Sequence, residues 1–157
     1  MSEHRVLVLM GSETDRKVME SAKPYFEYFG IRTEFKVSSA HRAPEQTAGL
    51  ARTARAEGYS AIVCAAGMAA HLAGSCAANC DLPVIGVPLA GGALGGVDAL
   101  LSTVQMPAGV PVATLAIGRA GAINSALLCA RIFSLTDQDI HRRLIEFRLG
   151  GCQLPEA

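Results

Sequence analysis

In Arg5–Met10 (RVLVLM) every position after the arginine is apolar and Gly11 closes the run, the pattern of a strand buried on both faces. Between residues 14 and 29 the apolar positions fall at Val18, Met19, Ala22, Tyr25, Phe26 and Phe29. That is helical spacing with one inward face. Pro24 predicts a kink in it, because its nitrogen cannot donate and its ring crowds the preceding turn; Gly30 supplies the stop. Arg32–Val37 alternates polar with apolar and reads as a second strand. Pro44 suits the first turn of a helix that runs to residue 57 and ends at Gly58. Residues 60–64, 83–87 and 112–117 read as three more strands, and residues 69–79, 97–105, 120–134 and 137–148 as helices. The stretch after Gly150 (GCQLPEA) reads as a loose tail or a subunit contact.

Strands that alternate with helices predict a parallel sheet covered on both faces. With right-handed crossovers, about five strands give an α/β, flavodoxin-like, three-layer doubly wound sheet, with extra C-terminal helices. Neither a linker nor an internal repeat divides the chain, so residues 1–157 read as a single domain. Ligands in such sheets sit outside the carboxyl ends of the strands. That rule directs attention to four loops, at residues 11–15, 38–42, 65–71 and 88–96.

Composition narrows the class. Half of the 157 residues are hydrophobic and 18% are charged, which excludes a disordered chain. Fourteen basic residues balance fourteen acidic ones, so no nucleic-acid or membrane surface is indicated. No run approaches the ~18–20 apolar residues that span a bilayer, and the N-terminus lacks the apolar length and cleavage signal of a secretory peptide. The expected location is the cytoplasm. The five cysteines are an odd number with no CxxC pair, which argues against a disulfide framework. Cys76 and Cys80 lie one helical turn apart with His71 nearby, but they read better as small core residues than as metal ligands.

The first loop joins Gly11, which lets backbone approach a ligand, to Ser12 and Asp15. Ser12 suits a phosphate; Asp15 would repel one and suits ribose hydroxyls. Helix capping by Ser12 and Asp15 is the competing reading. The GxxxxGK[ST] pattern is absent, so this is no Walker loop. In the second loop Ser39 and Arg42 are a hydroxyl and a guanidinium, both good phosphate ligands, and they flank His41. An ordinary imidazole titrates near pH ~6.5, which suits proton transfer at neutral pH. The third loop, Ala65 to Ala70, is nearly all small and apolar; Ala66 and Gly67 would wall a dry pocket, and His71 would close it or hydrogen-bond the substrate, as a second catalytic candidate beside His41. Tight packing of a helix on the sheet accounts equally well for that loop. Four glycines in residues 88–96, and two prolines with a glycine in residues 105–111, suit a lid, a subunit contact or a plain connection.

Six segments in order carry a resemblance: MGSETD at 10–15, SAHR at 39–42, GMAAHL at 67–72, GVDAL at 96–100, QMPAGVP at 105–111 and LAIGRAGA at 115–122. Together they resemble the PurE family of carboxyaminoimidazole ribonucleotide mutases. The resemblance implies a phosphate near Ser12, Ser39 and Arg42, a ribose held by Asp15, and proton transfer by His41. It also implies a homo-octamer acting on a ribonucleotide and CO2 without metal or cofactor. One branch of the family rearranges N5-carboxyaminoimidazole ribonucleotide into its 4-carboxy isomer; the other carboxylates aminoimidazole ribonucleotide with CO2. The AAHL and QMP segments resemble the mutase branch. Thr14 stands for a usual Ser, Ala65 and Met68 for usual Gly, and Ala73 for a usual Pro. The alternatives are the direct carboxylase, a carboxylase of another heterocycle, and a nucleotide-binding module without catalysis.

Overall fold

A computed structural model describes residues 4–155; the first three residues and the last two of the GCQLPEA tail lie outside the described residues. Five parallel strands run β1 Arg5–Met10, β2 Arg32–Val37, β3 Ala61–Gly67, β4 Val84–Leu89 and β5 Ala113–Thr114, in the order β2-β1-β3-β4-β5. This is the flavodoxin-like order, whose switch point lies between β1 and β3. Along β1 the side chains alternate. Val6, Val8 and Met10 join one core with Phe26, Phe29, Ala126 and Phe133, while Leu7 and Leu9 join a second core with Ala54, Leu72 and Cys76. The apolar run in the sequence thus serves two layers of helices.

On the first layer lie α1 Arg16–Met19, α2 Lys23–Tyr28, α6 Arg119–Phe133 and α7 Gln138–Leu149. On the other lie α3 Pro44–Thr53 and α4 Leu72–Ala77, and α5 Val97–Val104, whose Thr103 meets the face of Gly86 beside Ala73. The predicted helix over 14–29 is broken into α1 and α2 by a 3-10 turn at Glu20–Ala22. Pro24 stands in the first turn of α2, where its missing N–H costs nothing. The fifth strand spans two residues rather than the six expected. Past Leu115, whose N–H donates to Gly86, the chain turns away so that Gly121 of α6 packs on the Ala116 carbonyl. The helix expected over 69–79 begins only at Leu72, because β3 continues to Gly67 and a tight turn follows. After α7 the chain folds back: the Cys152 N–H donates to Phe147 O at 2.9 Å, and Leu154 packs on the first core. No helix of the described residues is long and apolar enough to cross a membrane.

Candidate active site

The carboxyl ends of β1, β2, β3 and β4 meet around a cleft of about 350 Å³. It is lined by every residue singled out from the four loops: Gly11, Ser12 and Asp15 after β1; Ser39, His41 and Arg42 after β2; and Ala66, Gly67 and His71 at the end of β3 and beyond it. Thr14, Ala40, Met68, Ala69, Leu72 and the Ala90–Gly92 segment complete the wall. A larger hollow of about 740 Å³ lies between α6 and α7, lined mainly by Leu and Ile side chains with Arg131, His141 and Arg148 at its edges. The smaller cleft is the better candidate, because it occupies the switch point and gathers hydroxyls, a carboxylate, a guanidinium and two imidazoles.

Backbone hydrogen bonds fix the floor. The Gly11 N–H donates to Ala65 O at 2.9 Å and the Ser38 N–H to Met10 O at 2.9 Å, so three strand ends are tied side by side. In the first loop the Thr14 N–H donates to Ser12 Oγ at 3.2 Å, and the Ser12 N–H donates to Asp15 Oδ2 at 3.0 Å. Ser12 and Asp15 therefore do cap the turn, as the competing reading held, while both still face the cleft. Burial raises the Asp15 carboxyl above its usual range, and the Ser12 N–H opposes that rise. A Cβ at Gly11 would meet Ala66 Cβ at 3.5 Å, an ordinary packing contact.

The second loop is closed from beneath. Ser38 Oγ and Thr47 Oγ1, both in buried residues, are 2.8 Å apart, and the Ala43 N–H donates to Ser39 O at 2.8 Å. The Arg42 N–H donates to Ser39 Oγ at 3.2 Å. This turn leaves the Arg42 side chain exposed, and among the described residues no carboxylate pairs with it. A guanidinium without an internal partner at the mouth of a cleft is available to an anion.

His41 Nε2 lies 2.8 Å from His71 Nδ1, and the rings meet at 90° with centroids 5.0 Å apart. One hydrogen lies between the two nitrogens, so the tautomer of one ring dictates that of the other. His71 reaches this position through two tight backbone contacts. The Ala70 N–H donates to Met68 O and the His71 N–H to Ala69 O, each at 2.9 Å. The turn places Met68 at φ +52°, the left-handed region that costs a side-chain-bearing residue ~1–2 kcal/mol.

Sequence reasoning left residues 88–96 undecided; the structure places Ala90, Gly91 and Gly92 on the cleft. The 105–111 turn is elsewhere, with Met106 Sδ against Gly74 of α4. Cys64, Cys76 and Cys129 are buried, and burial pushes the Cys64 thiol up, which leaves it inert as a nucleophile. No group of three His, Cys, Asp or Glu among the described residues is placed to hold a metal ion.

A family model described as AIR carboxylase matches residues 5–151. The N5-carboxyaminoimidazole ribonucleotide mutase of Brucella melitensis is 50% identical over 143 residues, covering 91% of this chain and 88% of its own. The protein of that name from Escherichia coli K12 is 47% identical over 144 residues, covering 92% of this chain and 85% of its own. Among solved structures, Treponema denticola PurE superposes with a TM-score of 0.86 at 27% identity, over 96% of this chain and 93% of that one.

Proposed function

Since the chain belongs to the AIR carboxylase family, we propose that it converts N5-carboxyaminoimidazole ribonucleotide into its 4-carboxy isomer in purine synthesis. The observation that carries this reading is the 47–50% identity to mutases across nine-tenths of the chain. The cleft supports it, because each part of such a substrate meets a group of suitable chemistry there. Arg42, Ser39 and Ser12 offer a guanidinium and two hydroxyls to the phosphate. Asp15 offers an acceptor to the ribose hydroxyls, and its raised carboxyl agrees with a partly desolvated position. Ala66, Gly67 and Ala69 offer a wall without charge.

The reaction then runs in two steps. The exocyclic C–N bond of the carbamate breaks, its electron pair stays on nitrogen, and a proton reaches that nitrogen from His41. The CO2 so released is neutral and suits the apolar wall better than the carboxylate it came from. The enamine-like ring carbon attacks CO2, a C–C bond forms, and the ring proton passes to His41, which restores its starting state. His71, 2.8 Å away, holds the His41 ring in one orientation and tautomer. Keeping both fragments in one cleft avoids a bimolecular search, an advantage of up to several kcal/mol.

The proposal includes a cytoplasmic homo-oligomer, an octamer as first choice from the family resemblance. Its physical support is the apolar surface left open. Leu94, Val97, Leu101 and Val104 are each about half exposed or more, as are Ile145 and Leu149 beside the α6–α7 hollow. A chain with mean hydropathy +0.30 gains by burying such faces between copies. Sedimentation at micromolar concentration should show one species several times the 16.4 kDa protomer; a clean monomer would contradict this part.

A further inference from the structure

Ser38, Thr47, Thr103 and Ser125 are the polar residues buried among those described. Thr103 and Ser125 donate their hydroxyls to carbonyl oxygens of their own helices. Ser38 and Thr47 instead meet each other, with Ser38 Oγ 2.8 Å from Thr47 Oγ1. Ser38 is 2% exposed and Thr47 0%, so water can replace neither partner. Thr47 Oγ1 also lies 3.1 Å from Ala43 O, a carbonyl that can only accept. A threonine has one hydroxyl hydrogen, so the arrangement that satisfies both contacts has one direction: Ser38 donates to Thr47, and Thr47 donates to Ala43 O.

These three residues bracket the loop that brings Ser39, His41 and Arg42 to the cleft. Ser38 precedes it, with its N–H tied to Met10 O of β1 at 2.9 Å. Ala43 ends it, and Thr47 lies one turn inside α3. The Thr47 hydroxyl therefore joins the two ends of the loop. Ala43 is the N-cap of α3 and has no side chain that could bond the first helical N–H groups, so no ordinary cap fixes the entry to that helix. Within the loop the Arg42 N–H bonds Ser39 Oγ at 3.2 Å, and that hydroxyl is one the substrate phosphate would also claim. The buried hydroxyl chain makes no such double use of a group.

We propose that Ser38 and Thr47 act as one matched pair that positions His41 against His71 and Arg42 at the cleft mouth. This inference rests on the mutase reading. Neither hydroxyl touches substrate; both act through the loop they fasten. If Thr47 alone loses its hydroxyl, the Ser38 hydroxyl is buried without an acceptor. The loop can relieve that only by shifting towards water, which draws His41 away from His71 Nδ1. If both hydroxyls go together, nothing buried is left to hydrate, Ala43 O keeps its 3.1 Å bond from the residue 47 N–H, and the loop stays in place. The match between the two side chains matters, and not the hydroxyls for themselves.

The test compares wild type with Thr47→Ser, Thr47→Val and the double variant Ser38→Ala/Thr47→Val, at a temperature where all four are folded. One readout is kcat and KM for conversion of N5-carboxyaminoimidazole ribonucleotide. The other needs no turnover. It is the NMR signal of the hydrogen between His41 Nε2 and His71 Nδ1 in protein labelled with 15N-histidine, identified by its absence from His41→Ala. Thr47→Val keeps the shape of threonine without the hydroxyl. It is expected to lower kcat/KM at least ~10-fold, because a reacting group ~1 Å out of place can cost ~10²-fold. The loss should be divided, with kcat falling through His41 and KM rising through Arg42 and Ser39, and the shared-hydrogen signal should move or vanish. Thr47→Ser and the double variant should stay close to wild type in both readouts. Wild-type kinetics or an unmoved signal in folded Thr47→Val overturns the proposal and leaves the pair a role in stability alone. A Thr47→Ser protein as impaired as Thr47→Val overturns it too, as does a double variant that keeps the defect. A wild-type protein that makes no 4-carboxy product removes the mutase reading, and the shared-hydrogen signal alone then decides the positioning.

Discussion

Replacing His41 by Ala is expected to lower turnover by ~10²–10⁴-fold while leaving ribonucleotide affinity close to wild type. The reaction moves one proton off a ring carbon and one onto an exocyclic nitrogen. The cleft holds two imidazoles, bonded to each other at 2.8 Å, and the proposed mechanism gives the proton to His41. In the proposed reading Arg42, Ser39, Ser12 and Asp15, which line the same cleft, hold the phosphate and ribose, so binding should survive the loss of the ring. Arg42→Lys should show the opposite split. Its charge is kept, but the two-pronged contact of a guanidinium with phosphate is not, so the dissociation constant rises while turnover at saturation changes little. Calorimetry with the ribonucleotide, beside steady-state rates, reads both. Near-normal turnover in a folded His41→Ala protein would take His41 out of the mechanism. Unchanged affinity in Arg42→Lys would take Arg42 out of the phosphate site.

The largest expected effect on stability comes from a residue that touches no substrate. Gly121 lies in the first turn of α6, and a Cβ there would overlap the Ala116 carbonyl oxygen and come within 3.2 Å of Val87 Cγ1. Backbone cannot step aside as a side-chain tip can. Gly121→Ala should therefore cost at least about 3 kcal/mol, the upper range for overpacking. Its consequence reaches the cleft, because Val87 belongs to β4 and β4 leads into the Ala90–Gly92 wall. Gly49→Ala is the matched control. Gly49 sits inside α3 with open space around it, so a Cβ there should stabilise by about 0.4–1 kcal/mol. Denaturant midpoints of the two variants should move in opposite directions; an unshifted midpoint for Gly121→Ala would contradict the packing described.

What was legible in the sequence and what was not separate along physical lines. The apolar run of β1 was legible because burial on both faces leaves no polar position in it, and residues 6–10 are indeed buried. The four strand-end loops were legible because a parallel sheet puts its ligand site at one edge whatever the loop sequences are. The 14–29 helix was less so: its period was right, but two short helices joined by a 3-10 turn have nearly the same period as one long helix. The fifth strand was overcalled because Val112–Ile117 keeps a strand-like composition, while the contact that ends it, Gly121 on Ala116, joins it to the next helix. The His41–His71 bond was invisible, since it joins residues 30 apart whose approach depends on β1 lying between β2 and β3. Met68 in the left-handed region had one signal, the glycine usual at that position in the family the sequence resembles, although nothing in the local pattern marks a methionine for a glycine's conformation. The Ala90–Gly92 wall had a signal in its glycines, but glycines alone do not say whether a loop meets a ligand, a subunit or nothing.

The central claim is that this cleft moves a carboxyl group from nitrogen to carbon within one bound ribonucleotide. The measurement that meets it most directly supplies purified protein with N5-carboxyaminoimidazole ribonucleotide and no added bicarbonate, beside aminoimidazole ribonucleotide with abundant bicarbonate. The account predicts the 4-carboxy isomer from the first mixture, formed much faster than from the second. Efficient product from aminoimidazole ribonucleotide and bicarbonate alone, with the carbamate left unconverted, would contradict it.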